Sequence, residues 1–133
     1  MDMQAFERRY KELVDAHGAL IVRKNQKQTP GNGAFDRYVY PVLTADHTPL
    51  FWRYDFDPKA NPYLMERMGI NSVFNAGAIE WEGKCCVVAR VESYHRKSFF
   101  AVTESTNGID NFRFWDHPIV MPEASEEEMN VYD

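Results

Sequence analysis

Phe74-Asn75-Ala76-Gly77-Ala78, Ala89-Arg90-Val91-Glu92 and Arg96-Lys97-Ser98-Phe99-Phe100 set an amide, a carboxylate and several cations into short, apolar, β-prone segments. Strands of this kind bury one face and hold the polar groups of the other rigid, which is how a sugar site on a β-scaffold reads. The surrounding residues 73–115 predict an antiparallel meander. Segments 73–81 and 84–92 flank Glu82-Gly83, a two-residue turn signal. Residues 98–105 make a third strand, and Asn107-Gly108-Ile109-Asp110-Asn111 turns the chain into a fourth at 112–115. Four closely spaced strands, apolar on both faces, imply a sheet packed between two neighbours, as in a propeller blade. No second copy of the pattern is visible, so the expectation is about one blade.

Upstream the text changes. Phe6, Tyr10, Leu13, Val14 and His17 fall at helical spacing and predict an amphipathic helix over 3–17, with Asp2 as its cap and Gly18 as its left-handed terminator. From 25 to 71, proline and glycine interrupt every apolar cluster. Extended pieces at 35–42 and 51–54 are expected there, with a short helix over 62–68 capped by Asn61 and opened by Pro62. Loops this long inside a compact domain are usually functional or packed against something else. The acidic stretch 123–128 reads as a solvated loop in a tail running from 116 to 133.

With 133 residues the chain is at most one domain, and 44% hydrophobic residues exclude disorder by composition. A net charge of −5 argues against a nucleic-acid partner. No apolar run approaches the ~20 residues that cross a bilayer, and the polar Met1-Asp2-Met3-Gln4 start carries no signal-peptide pattern. Cys85 and Cys86 are adjacent in a strand and point to opposite faces, so a mutual disulfide is not expected. They read as reduced thiols of a cytoplasmic protein. His17, His47, His95 and His117 show no metal-ligand spacing, and there is no phosphate loop or nucleophile elbow. No metal or cofactor is expected.

Arg90 and Glu92 alternate with Ala89 and Val91, so they share one strand face. They read either as a surface ion pair or as a guanidinium fork for vicinal hydroxyls oriented by Glu92. Asn75 is unfavourable in mid-strand, and with Gly77 it marks either a bulge or a close approach of ligand.

These motifs, with Asn107-Gly108-Ile109-Asp110-Asn111-Phe112-Arg113-Phe114-Trp115-Asp116, Asn130-Val131-Tyr132-Asp133 and the Tyr40-to-Leu50 stretch, resemble glycoside hydrolase family 130. The likeness runs from about Arg23 to Asp133 and is closest to the branch that phosphorolyses mannosyl-glucose. It implies a five-bladed β-propeller with a sugar site in its funnel. The implied reaction is inverting phosphorolysis of β-1,4-mannosyl-glucose to α-mannose 1-phosphate and glucose, with inorganic phosphate as co-substrate.

Carried over by motif, Asn75 and Ala76 line the mannose subsite, and Arg90, Glu92, Arg96 and Lys97 meet sugar hydroxyls or phosphate. Asp133 is the implied general acid, acting through the mannose 3-hydroxyl. An anionic nucleophile removes the need for the second carboxylate that activates water in an inverting hydrolase. Tyr94-His95 stands where the family pattern has an acidic residue, which bears on acceptor specificity.

Family members are several times longer, so the chain reads as an N-terminal portion, inactive alone, of a homo-oligomeric enzyme. The rival readings are a family 130 β-mannosidase, a phosphorylase of other mannosides, and a non-catalytic β-module that binds sugar or a partner chain.

Overall fold

A computed structural model describes residues 2–120 of the chain. The acidic stretch at 123–128 and Asp133 lie outside the described residues. The described part is an N-terminal helix, a loop-rich segment holding a single helical turn, and a four-stranded antiparallel sheet in the order β1-β2-β3-β4.

Helix α1 spans Met3–Ile21. Asp2 is its cap, with Oδ1 accepting the Ala5 amide at 2.7 Å. Gly18 does not end the helix. The chain stays helical through it for another three residues, and Val22 closes the last turn by donating to the Leu20 carbonyl with an ordinary negative φ. Leu20 and Ile21 are half-buried, and that apolar surface carries the helix past the glycine. Phe6 is buried with Tyr54 and Leu64, and Leu13, Leu50 and Phe56 pack around them. Tyr10 meets Phe56 edge-on at 5.1 Å. Val14, one of the residues at helical spacing, is exposed.

The loop-rich segment reverses two expectations. Residues 51–54 are not extended: α2, Leu50–Arg53, is one helical turn after a 3-10 turn at Ala45–His47. It drives Trp52 under the sheet and buries Arg53. Residues 62–68 do not form a helix. Leu64 takes a left-handed φ of 49° and is fully buried, so burial of its side chain beside Phe6 breaks the first turn. Asn61 therefore caps no helix, and its Oδ1 instead accepts the Met65 amide at 2.9 Å across the turn. The extended piece near 35–42 reduces to one antiparallel bridge between Lys27 and Tyr38.

The meander stands as read, with β1 at Ile70–Trp81, β2 at Lys84–Ser93, β3 at Ser98–Ser105 and β4 at Arg113–Phe114. Glu82 and Gly83 both have positive φ, 51° and 78°, which makes the β1–β2 turn the primed type that matches strand twist. Strand β1 slips register twice, between Ile70 and Ser72 and between Phe74 and Gly77. At the second slip Asn75 and Ala76 stand opposite the single residue Ala89, and Asn75 adopts a φ of 50°.

One sheet face is covered. Trp52, Ile70, Val91 and Ala101 form its core, and Trp52 meets Phe99 and Phe114 edge-on at 5.6 and 5.7 Å. The indole N–H of Trp52 donates to the Asp116 carbonyl, tying α2 to the end of the sheet. By register, the other face carries Phe74, Ile79, Trp81, Val88, Arg90, Phe100 and Val102. Ile79, Trp81 and Phe100 on it are exposed.

Candidate functional site

Antiparallel register fixes which side chains share a face. On the uncovered face, Ser72, Glu92 and Ser98 form one cross-strand row, and Phe74, Arg90 and Phe100 form the next. Arg90 and Glu92 thus share a face, as the alternation requires. They do not pair with each other. Arg90 Nε donates to Ser98 Oγ at 3.0 Å, and its guanidinium carbon lies 5.0 Å from the Phe74 ring centre. Glu92 Oε2 accepts from Ser72 Oγ at 3.4 Å. The orienting contact assigned to Glu92 is therefore made by Ser98 and Phe74.

Asn75 and Ala76 are exposed in the bulge beside this row. The bulge expected at Asn75 exists, and it turns the Asn75 backbone left-handed next to Arg90. Asparagine tolerates that conformation better than most residues. Arg96 and Lys97 lie in the β2–β3 hairpin just beyond the Glu92–Ser98 pair, and both are exposed. The Arg96 amide donates to Ser93 O at 2.9 Å, the Ser93 amide donates to Lys97 O at 2.9 Å, and Arg96 itself has a φ of 63°. That is a turn closed by a left-handed residue, a place usually given to glycine. A non-glycine residue held there carries strain of order 1 kcal/mol, and such strain concentrates at functional positions.

The described residues therefore bring Asn75, Ala76, Arg90 and Glu92 to neighbouring positions of β1 and β2, with Arg96 and Lys97 in the hairpin beyond them. Among the described residues neither Arg90, Arg96 nor Lys97 forms an ion pair. Arg90 offers a guanidinium fork backed by an aromatic ring, and the two hairpin cations offer charge for an anion. Ser98, Ser72 and Phe74 belong to the same cluster and were missed. Their signal was available, because a hairpin over 84–105 places Ser98 opposite Glu92.

The arrangement is open. Two concavities among the described residues, about 400 and 410 Å³, contain none of these residues. The first lies between α1 and α2, lined by Leu13, His17, Asp46 and Arg53 among others. Arg53 there is buried, with Asp46 and Glu66 carboxylates at 3.7 and 3.8 Å and an Nε that has no partner among the described residues. His17 in that cleft is held below its ordinary pKa by burial and by the Arg53 and Arg113 charges, against the Asp46 carbonyl it bonds. No group of three or more metal-ligating side chains occurs among the described residues, and no helix there is long and apolar enough to cross a membrane.

No protein-family profile matches the chain. Over 131 residues, 98% of its length, the chain is 55% identical to the 4-O-beta-D-mannosyl-D-glucose phosphorylase of Bacteroides fragilis, and it spans 34% of that enzyme's length.

Proposed function

We propose that this chain supplies the mannose-binding layer of an inverting β-mannoside phosphorylase that converts β-1,4-mannosyl-glucose and phosphate to α-mannose 1-phosphate and glucose. The observation that carries the reading is the 55% identity, sustained over nearly the whole chain, to an enzyme named for that activity. The neighbouring positions of Asn75 and Arg90, with Arg96 and Lys97 in the hairpin that follows, support it, since they combine hydroxyl-binding and anion-binding groups. In this reading the sheet is one blade of a five-bladed propeller in a cytoplasmic homo-oligomer.

The chemistry divides as follows. Phosphate attacks the anomeric carbon of mannose from the face opposite the glucose oxygen, and that bond breaks with inversion. Cations hold the phosphate, so no carboxylate is needed to deprotonate the nucleophile. Asp133 donates the proton that the departing glucose oxygen takes up, relayed by the mannose 3-hydroxyl. It must be protonated when substrate binds, which requires a raised pKa from desolvation or a neighbouring anion.

A chimera in which this chain replaces the matching 131 residues of the Bacteroides fragilis enzyme tests the reading. The expected result is phosphate-dependent release of α-mannose 1-phosphate, reduced ~10²–10⁴-fold by Asp133→Asn. An activated aryl mannoside, whose leaving group needs little protonation, should be spared most of that loss. Release of free mannose without phosphate would move the assignment to a β-mannosidase. Near wild-type turnover in Asp133→Asn would remove Asp133 as the acid.

A further inference from the structure

The dipeptide Asn-Gly occurs twice in the chain, at 32–33 and at 107–108. In such a pair the backbone nitrogen of the glycine can attack the asparagine amide, because no side chain stands in its way. The amide oxygen is held alike at both places. Asn32 Oδ1 accepts the Ala34 and Phe35 amides at 2.9 and 3.0 Å, and Asn107 Oδ1 accepts the Ile109 and Asp110 amides at 2.9 and 3.1 Å. Both glycines take positive φ, 80° and 70°.

The sites differ at the atoms that react. The Gly108 amide donates to Ser105 Oγ at 3.0 Å, and Asn107 Nδ2 donates to Asp110 Oδ1 at 2.8 Å. Asp110 is buried and is itself fixed by the Asn25 amide. A Cβ on Gly108 would lie 3.5 and 3.6 Å from Cys85 Cβ and Sγ, so that glycine is packed. At the other site, neither the Gly33 amide nor Asn32 Nδ2 donates a hydrogen bond among the described residues. Nothing lies within 4 Å of a Cβ placed on Gly33. Both residues belong to the exposed stretch 26–37, closed at its base by the Lys27–Tyr38 bridge.

We propose that Asn32 is a site of spontaneous covalent modification, closing onto the Gly33 nitrogen to a succinimide that water opens to aspartate or isoaspartate, and that Ser105 and Asp110 hold the same dipeptide at Asn107 unreactive. In the first step the Gly33 nitrogen gives its proton to hydroxide and bonds to Asn32 Cγ. The Cγ–Nδ2 bond breaks, and Nδ2 leaves as ammonia with a proton from water. Water then adds to either ring carbonyl, and nothing is oxidised or reduced. At Asn107 the same closure must first free the Gly108 amide and the Asn107 amide nitrogen from their partners. The product also changes the charge of its surroundings. Residues 23–37 carry Arg23, Lys24, Lys27 and Arg37 against the single carboxylate of Asp36, and conversion of Asn32 sets a second carboxylate among them.

The test holds the full chain in mildly alkaline buffer and follows the two peptides by mass spectrometry, with an isoaspartyl methyltransferase reporting the isoaspartyl product. Asn32 should convert at least ~10-fold faster than Asn107, because the shielded site reacts only from locally opened forms. In denaturant the two rates should converge. Ser105→Ala should speed conversion of Asn107 and leave Asn32 unchanged; if that variant does not fold, the wild-type rates with and without denaturant decide. Equal rates in the native chain, or a faster Asn107, overturn the inference. A gap that survives denaturant overturns it too, since sequence rather than fold would then set the rates.

Discussion

Asn75 and His47 illustrate two ways a single residue carries information. Asn75 supplies both a left-handed backbone and an amide beside Arg90, and substitution separates the two. Asn75→Gly should keep or raise the thermal midpoint while weakening mannoside binding, because glycine takes positive φ without strain. Asn75→Ala should lose about 1 kcal/mol of stability as well, with a smaller effect on the chemical step than on binding. A glycine variant with intact binding would show that the amide is structural only. His47 is buried, and its Nδ1 accepts the Thr44 amide at 2.9 Å, so the ring proton sits on Nε2. Burial, then the nearby Arg23 and His17, push its pKa down to about 4. The folded ring stays neutral while the unfolded ring takes up a proton near its ordinary 6.5. Its contribution to stability is therefore full above about pH 6.5 and is lost progressively as pH falls toward about 4, by an amount of order 3 kcal/mol. Denaturant titration across that range should show the loss, and His47→Gln should flatten it.

At the scale of elements, what could be read depended on whether the cause was local. Helix α1 announced itself by period and cap, and the hairpin by Glu82-Gly83. The Asp2 cap is open to a direct check. Asp2→Ala should cost about 1 kcal/mol and speed amide exchange in the first turn of α1, leaving the sheet amides unchanged. The readings at 51–54 and 62–68 failed for one shared reason. Trp52 and Leu64 take their conformations from partners distant in sequence, Phe99 and Phe114 for the first and Phe6 for the second. Tertiary burial there outweighs the signals from Pro62 and from the aromatic run. That Arg90 and Glu92 share a face was legible because strand alternation is a local rule. The contacts of Arg90 with Ser98 and Phe74 needed the cross-strand register, which the hairpin turn alone sets. The packing of the Tyr94 ring against Gly69 had no local signal, since it joins the start of β1 to the end of β2.

At the scale of the molecule, one side of the sheet is covered by the Trp52 core, whereas the other is closed only around Cys86 and Val102. Ile79, Trp81 and Phe100 are 62%, 49% and 43% exposed on the other side, a concentration of apolar surface that drives association. The isolated chain should associate with rising concentration in sedimentation, and the pair Ile79→Lys and Phe100→Lys should reduce this without lowering the thermal midpoint. A monodisperse monomer with a sharp cooperative transition would contradict the expectation. The bulge at Asn75-Ala76 decides which residues reach that side. Before it Val73 points to the covered face, whereas beyond it Ala78 and Glu80 do, and Ile79 and Trp81 point away. Removing one residue there would reverse every side chain from Gly77 to the turn. Related chains should therefore vary in spelling at these positions far more readily than in length, because a deletion shifts the phase of the whole strand that follows.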